Sequence, residues 1–236
     1  MLVIIPARKN SKGLKKKNIK IFCGKPLILH SVHLAQKSKK ISKILISTDD
    51  NKILELINNL KNKKKIIFTS LRPKYLALDN SKAIDVYLYE INKYNKNFNE
   101  KIDEFCVLLP TSPLRSINDL NEAINLFYNK NANSVISMSE TLKPPSWNKV
   151  VNLNNLAIQK NVKISNKKEI ANRQKTRKFF TPNGAIYIFN YKFLKRYRNY
   201  YGKKTYAFIM SKIKSFDIDD IEDFKLVSLI KKNIII

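Results

Sequence analysis

Leu2-Val3-Ile4-Ile5 runs directly into Pro6-Ala7-Arg8-Lys9-Asn10-Ser11-Lys12-Gly13-Leu14-Lys15-Lys16-Lys17-Asn18. A continuous run of β-branched and aliphatic residues reads as a strand buried on both faces, the pattern of a central strand in a parallel sheet. The polar loop that follows lies at the strand's carboxyl end, which is where ligands gather in such sheets. Its chemistry suits a polyphosphate. Backbone N–H groups near Gly13, the hydroxyl of Ser11 and the side chains of Arg8 and the lysines offer many donors, Arg as a two-pronged fork and Lys as a point charge. The loop follows neither GxxxxGK[ST] nor GxGxxG.

Working outward from this loop, short β-branched runs alternate with amphipathic segments. Pro26 stands at a plausible first helical turn and residues 27–38 read as a helix. Strands are expected at 43–48, 66–68, 105–109 and 134–139, and helices at 50–60, 81–94 and 117–128. From about 141 to 182 the rhythm is lost, through Pro144-Pro145-Ser146-Trp147 and a stretch rich in Asn and Lys, as in an inserted arm. Strands then return at 185–189, 206–209 and 214–218, around a Tyr-rich region at 191–201, and a helix closes the pattern at 221–232. Strands separated by helices of this length imply an α/β fold whose parallel sheet is joined by right-handed crossovers. The core is expected to comprise 1–140 and 183–236, with 141–182 as the arm.

Composition supports a globular chain: 236 residues, 44% apolar, with 12 Phe and 11 Tyr. The net charge of +28 would ordinarily suggest a polyanion partner. However, only seven of the 46 cations are arginines, leaving 39 lysines beside abundant Asn and Ile. That bias is the mark of an AT-rich coding sequence and favours drift over a polyanion partner as the source of the charge. Cys23 and Cys106 form no CxxC or His-Cys cluster, so neither a disulfide framework nor a zinc site is indicated, and a cytoplasmic setting is expected. No apolar run is long enough for a membrane span.

Three further constellations fall in loops at strand ends. Leu71-Arg72-Pro73, with Asp79-Asn80-Ser81 downstream, could clamp a nucleotide from the other side or cap the next helix. Pro110-Thr111-Ser112-Pro113-Leu114-Arg115 is a stiffened loop presenting Thr111, Ser112 and Arg115 as donors. Phe216-Asp217-Ile218-Asp219-Asp220, read as a strand, turns Asp217 and Asp219 to one face and Ile218 to the core. Two adjacent carboxylates in so basic a chain suit Mg²⁺, with Mn²⁺ also admissible; capping of the last helix is the alternative role for Asp219 and Asp220. His30 and His33 fall on the first predicted helix, where packing or surface exposure is the default. With no HExxH or GxSxG, catalysis by a protein nucleophile is not expected.

Taken in order, IIPARKNSKGLKKKN, LRPKYLALD, LLPTSPLR, TPNGAIYI and FIMSKIKSFDIDD resemble the motif set of the CMP-N-acylneuraminate synthetases over nearly the whole chain. The resemblance implies a Rossmann-like nucleotidyltransferase fold with a small dimerisation arm, and CMP transfer from CTP to the anomeric hydroxyl of an acidic nine-carbon keto-sugar in a homodimer. It implies CTP contacts at Arg8, Asn10, Ser11, Gly13, Lys17, Asn18, Arg72 and Ser81, and a catalytic set of Lys17, Asp217 and Asp219, the two aspartates holding the metal. It implies sugar contacts at Lys149 and Arg173 on the arm, serving the neighbouring subunit, and at Tyr187, Tyr200 and Tyr201. The chain departs from the pattern at Leu109, where many members carry Gln, and at Thr181, where Arg often precedes PNGA. The sugar therefore stays open among sialic, legionaminic and pseudaminic acids; Ser11-Lys12-Gly13-Leu14 argues against the eight-carbon Kdo. A non-catalytic basic nucleic-acid-binding protein is the reading from another class; scattered lysines and the intact Asp pair argue against it.

Overall fold

A computed structural model describes residues 1–141, 150–151, 157–158 and 178–233. Its centre is a seven-stranded sheet in the order β11-β7-β10-β6-β1-β4-β5. These strands are β1 (Leu2–Pro6), β4 (Lys43–Ser47), β5 (Ile66–Ile67), β6 (Glu104–Val107), β7 (Ser134–Glu140), β10 (Phe180–Asn190) and β11 (Thr205–Ile209). Strand β1 is parallel to both neighbours, β4 and β6, so the polar loop after it leaves from the middle of the sheet. The sheet is mostly parallel, as expected, and departs from that direction at one strand: β10 runs antiparallel between β6 and β7. Strand β10 is thus hydrogen-bonded on both sides to strands that run the other way, an antiparallel insertion in an otherwise parallel sheet.

Alternation along the strands divides the core. Val3, Ile5, Ile44, Ile46 and Cys106 pack on one face against α1 (Leu27–Lys37), α2 (Asn51–Asn58) and α4 (Ile117–Asn129). Leu2, Ile4, Leu45, Phe105 and Val107 pack on the other, against α3 (Ala83–Phe98) and α5 (Tyr191–Tyr197). Period-two strands buried on both faces produce this division. Asp50 caps α2 by accepting from the Lys52 amide, and Ser116 and Asp119 form a reciprocal capping box on α4.

A third, smaller cluster sets the geometry of the site. Leu14 of the β1 loop, Phe22, Leu27, Leu114, Ile218 and Val227 pack together. Phe22 belongs to a short hairpin, β2 (Ile21–Phe22) with β3 (Lys25–Pro26), whose turn places Cys23 and Gly24 at φ 45° and 85°. Val227 belongs to α6 (Ile221–Asn233). Burying a side chain of Ile218's size is worth about 1.5–3 kcal/mol, enough to fix the flanking aspartates in place.

The Tyr-rich region resolves into α5, capped by Asn190 and ended by Arg198 in a left-handed conformation. The strand expected at 214–218 is corrected: Ile213–Ser215 is a 3-10 turn, and the residues after it pair with no strand. The Ile218 amide instead donates to the Thr111 carbonyl at 2.9 Å, so the segment is tied to a loop rather than to the sheet edge. Strand β10 is longer than expected and begins at Phe180, opposite Glu140, so 180–182 belong to the sheet rather than the arm. Between Thr141 and Lys178 the described residues are β8 (Val150–Val151) and β9 (Ala157–Ile158), an antiparallel pair.

Candidate active site

The β1 loop, the 109–112 loop and the 217–219 segment enclose a cavity of about 360 Å³ lined by Arg8, Ser11, Lys12, Gly13, Lys17, Asn18, Thr111 and Asp219, with Pro6, Leu109 and Pro110 completing the wall. Residues far apart in sequence are thus brought together. A Cβ at Gly13 would overlap the Asp219 carbonyl oxygen, so only glycine lets the two backbones meet there. Lys17 reinforces the join: its Nζ donates to the Ile218 carbonyl at 2.6 Å and lies 3.3 Å from the carbonyl and carboxylate oxygens of Asp219. The Lys17 ammonium is therefore buried in a positioning contact. Asn18 donates from Nδ2 to the Arg8 carbonyl at 3.0 Å and shapes the loop from within.

Arg8 and Lys12 converge on one carboxylate. Asp79 accepts from Arg8 at 2.9 Å through Oδ1 and from Lys12 at 3.0 Å through Oδ2, and this pairing, Lys12 first, holds its carboxyl below the usual range. The geometry is that of two cations sharing the oxygens of one anion. The Lys9 amide donates to Asp49 at 2.8 Å, which fixes the loop against β4. Asn10 is exposed at the loop tip.

The two candidate metal ligands have opposite surroundings. Asp219 carries a largely exposed side chain (79%), whereas Asp217 is half-buried beneath the 109–112 loop. Burial, with Asp219 adding to it, pushes the Asp217 carboxyl up against hydrogen bonds from Thr111 and Ser112 that hold it down. A half-buried carboxylate raised chiefly by desolvation, with a second carboxylate two residues on and hydroxyls beside it, is an all-oxygen donor set that fits a hard divalent cation.

Other predicted residues lie elsewhere. Arg72 is buried (6% exposed), donating from Nε to Ser47 Oγ at 3.0 Å and from Nη2 to the Ser47 carbonyl at 2.7 Å. It supports the end of β4 and does not line the cavity. Ser81 donates to the Tyr75 carbonyl at 2.8 Å and faces a separate cavity with Asp85 and Arg198. Arg115, expected as a donor in its loop, is instead buried: its Nη1 donates to the carbonyls of Leu109, Ser112 and Ala185, at 2.7, 2.9 and 3.2 Å. Tyr187 and Tyr200 pack with ring centroids 5.4 Å apart, and burial foremost, then Tyr200, Tyr201 and Asp217, pushes the Tyr187 phenol up to about 12. Tyr201 is exposed. Lys149 and Arg173 lie outside the described residues.

The sequence patterns gave no role to Asn183 and Gly184. Between Pro182 and Tyr187 the β10 register shifts, and Gly184 takes φ 73° with its Cα side against Leu109, Ser112 and Asp217. Asn183 accepts from Ser137 Oγ at 2.6 Å and donates to Ser215 Oγ at 2.8 Å, binding the bulge to the turn that precedes Asp217. Their one sequence signal is Asn-Gly inside an apolar strand, a pattern for a bulge or close backbone approach.

The cytidylyltransferase family profile matches residues 2–234. The chain is 32% identical over 225 residues to the N-acylneuraminate cytidylyltransferase of Streptococcus agalactiae serotype V, covering 94% of this chain and 51% of that protein, so it spans about half that relative's length. It is 28% identical to the CMP-N,N'-diacetyllegionaminic acid synthase of Legionella pneumophila, covering 96% of this chain and 94% of that one. Among solved structures, a CMP:2-keto-3-deoxy-manno-octonic acid synthetase complexed with CTP superposes with a TM-score of 0.69 at 14% identity, over 98% of each chain, which shows the shared α/β fold. With a matching profile from the first strand to the last helix and a motif-built cavity at the carboxyl end of β1, the chain belongs to the cytidylyltransferase family.

Proposed function

We propose that this protein transfers CMP from CTP to the anomeric hydroxyl of a nonulosonic acid, releasing pyrophosphate. The observation that carries the reading is the backbone-to-backbone junction of the β1 loop with the 217–219 segment, which puts the Arg8 and Lys12 cations and the Asp219 carboxylate on one cavity, with Asp217 behind its 109–112 wall. In the reaction the sugar hydroxyl oxygen forms a bond to the α-phosphorus while the bond to the β-phosphate oxygen breaks. The protein's contribution is alignment and charge neutralisation. Arg8 and Lys12, which converge on one anion, bind the phosphate chain, with Ser11 and the backbone near Gly13 adding donors. Lys17 holds the 218–219 carbonyls in register with the loop.

Asp217 and Asp219 would hold Mg²⁺ or Mn²⁺, which when bound supplies charge neutralisation to phosphate oxygens and acidity to a coordinated hydroxyl. Tyr187 and Tyr200 form the aromatic wall on the sugar side, completed by Lys149 and Arg173 of the 141–182 arm from the other protomer of a homodimer. The names of the streptococcal and Legionella relatives favour a nine-carbon acid, and the cationic cavity suits its carboxylate. A cytoplasmic setting, where CTP is made, belongs to the same proposal; among the described residues no helix is long and apolar enough to cross a membrane.

The test is pyrophosphate release from CTP and Mg²⁺ with N-acetylneuraminic, legionaminic and pseudaminic acids and Kdo, with EDTA as the blank. Release with a nonulosonic acid and not Kdo is the expected result; silence with all three nonulosonic acids overturns the proposal. Asp219→Ala should abolish release while leaving the far-UV circular dichroism spectrum unchanged, and an active variant would remove the metal assignment.

A further inference from the structure

A second cavity, of about 250 Å³, opens between α1, the turn leading into α4, and the end of α6. It shares no lining residue with the site described above. Lys25, His30, His33, Lys37, Arg115 and Lys231 line it, and no Asp or Glu does. These side chains, four cations and two imidazoles, come from β3, three turns of α1, the 113–117 turn and the last helix, so a concave place gathers them from distant parts of the chain. Some basic residues pair with acids, as Lys17 does with Asp219, Lys43 with Glu100 and Lys214 with Asp119, whereas most lysines have no acidic partner among the described residues, and what sets this place apart is their convergence on one hollow. Among the described residues no ion pair uses Lys25, Lys37 or Lys231.

The crowding is felt electrostatically. Burial first, then Lys25 and Lys37, pull the Lys231 ammonium and the His33 imidazole below their ordinary ranges. His30 is drawn down to about 4 by burial foremost, with Lys25, Lys231 and His33 adding to it. Like charges kept together without a counter-charge are unfavourable, and drift toward lysine does not by itself converge three of them on one hollow.

Arg115 is 3% exposed, its Nη2 donates to Ser31 Oγ, and its Nε has no acceptor among the described residues. A buried donor without an acceptor is an exception that calls for a partner. We propose that this cavity is a binding site for a small multivalent phosphate, distinct from the CTP site. Bare polyphosphate and the phosphate chain of a nucleotide share the recognised chemistry. The occupant would sit behind the 109–115 loop, whose other side carries Leu109, Pro110 and Thr111 into the CTP cavity.

The chain has two histidines, and both line this cavity, which makes their imidazole resonances a local reporter. Full-length protein with isotopically labelled histidine is titrated with pH, at constant ionic strength set by KCl, without and with inorganic tripolyphosphate. Saturable binding with an upward shift of the His33 titration by about one unit is expected, because a bound anion favours the imidazolium. The shift should disappear in Lys37→Gln/Lys231→Gln and persist in Arg8→Gln, which weakens the other cavity. CTP should reproduce it and cytidine should not, assigning recognition to the phosphate chain.

No saturable shift, a shift unchanged in the double lysine variant, or one lost in Arg8→Gln overturns the proposal. So does a response to an RNA oligomer at lower concentration than to tripolyphosphate, which would assign the patch to nucleic acid. None of these readouts requires turnover, so the site and the proposed transferase activity fail or stand separately.

Discussion

At Gly13 one missing carbon atom decides whether two motifs meet. Because a Cβ there would overlap the backbone oxygen of Asp219, and backbone cannot swing aside as a long side chain can, Gly13→Ala must open the junction. The expected cost is about 1–3 kcal/mol, with a loss of pyrophosphate release larger than the loss of stability accounts for. Thermal unfolding together with kcat and KM checks this; a variant with wild-type melting and wild-type turnover refutes it. At this scale the sequence was partly legible. The donor-rich character of residues 8–18 could be read from side-chain chemistry, and the carboxylate pair from its rarity in a basic chain. The burial of Arg72 and Arg115 could not, because an exposed clamp and a buried brace share one residue type, and their difference lies in Ser47 and in the carbonyls of Leu109, Ser112 and Ala185.

Among the elements, α1 carries a titratable link to the β2–β3 hairpin. His30 Nε2 lies 2.9 Å from the Phe22 carbonyl, as an N–H donor in the neutral ring, and its titration is drawn down to about 4. The unfolded chain takes up this proton near the ordinary 6.5 and the folded chain only near 4, so stability is full above about pH 7 and is lost as pH falls between those values. Allowing for partial solvation, the loss is on the order of 2 kcal/mol. Urea unfolding of wild type and His30→Gln at pH 7.5 and 4.5 should show the wild type losing more; equal losses would remove His30 as the cause. The strands and helices of the first half were legible because periods of 2 and 3.6 coincided with their burial, as in Leu2–Pro6 and Leu27–Lys37. Residues 214–218 alternate like a strand yet lack a pairing partner, since Ile218 donates to Thr111 instead; alternation records which side is buried and not what binds the backbone.

For the whole molecule, the parallel sheet followed from the alternation of strands and helices, and the antiparallel entry of β10 did not, because direction is set by how the chain returns and the 141–182 stretch carries no period. The 142–177 stretch leaves and rejoins the sheet at adjacent points: Glu140 stands opposite Phe180, and the Thr141 amide donates to the Phe179 carbonyl at 2.8 Å. Replacing residues 142–177 by a short hairpin turn should therefore leave the sheet intact. On the proposed function it should also yield a monomer that binds CTP with much weaker use of the sugar. Light scattering, circular dichroism and the two KM values test this, and a variant that stays dimeric assigns the contact elsewhere. The net charge of +28 suggests an open electropositive mouth awaiting its substrate, yet Arg8 and Lys12 already share the carboxylate of Asp79. On the proposed function, arrival of a triphosphate there exchanges one counter-ion for another, and because the ion pairs with Asp79 are exposed and weak, the tethered carboxylate yields more readily to a multivalent anion than to chloride or acetate.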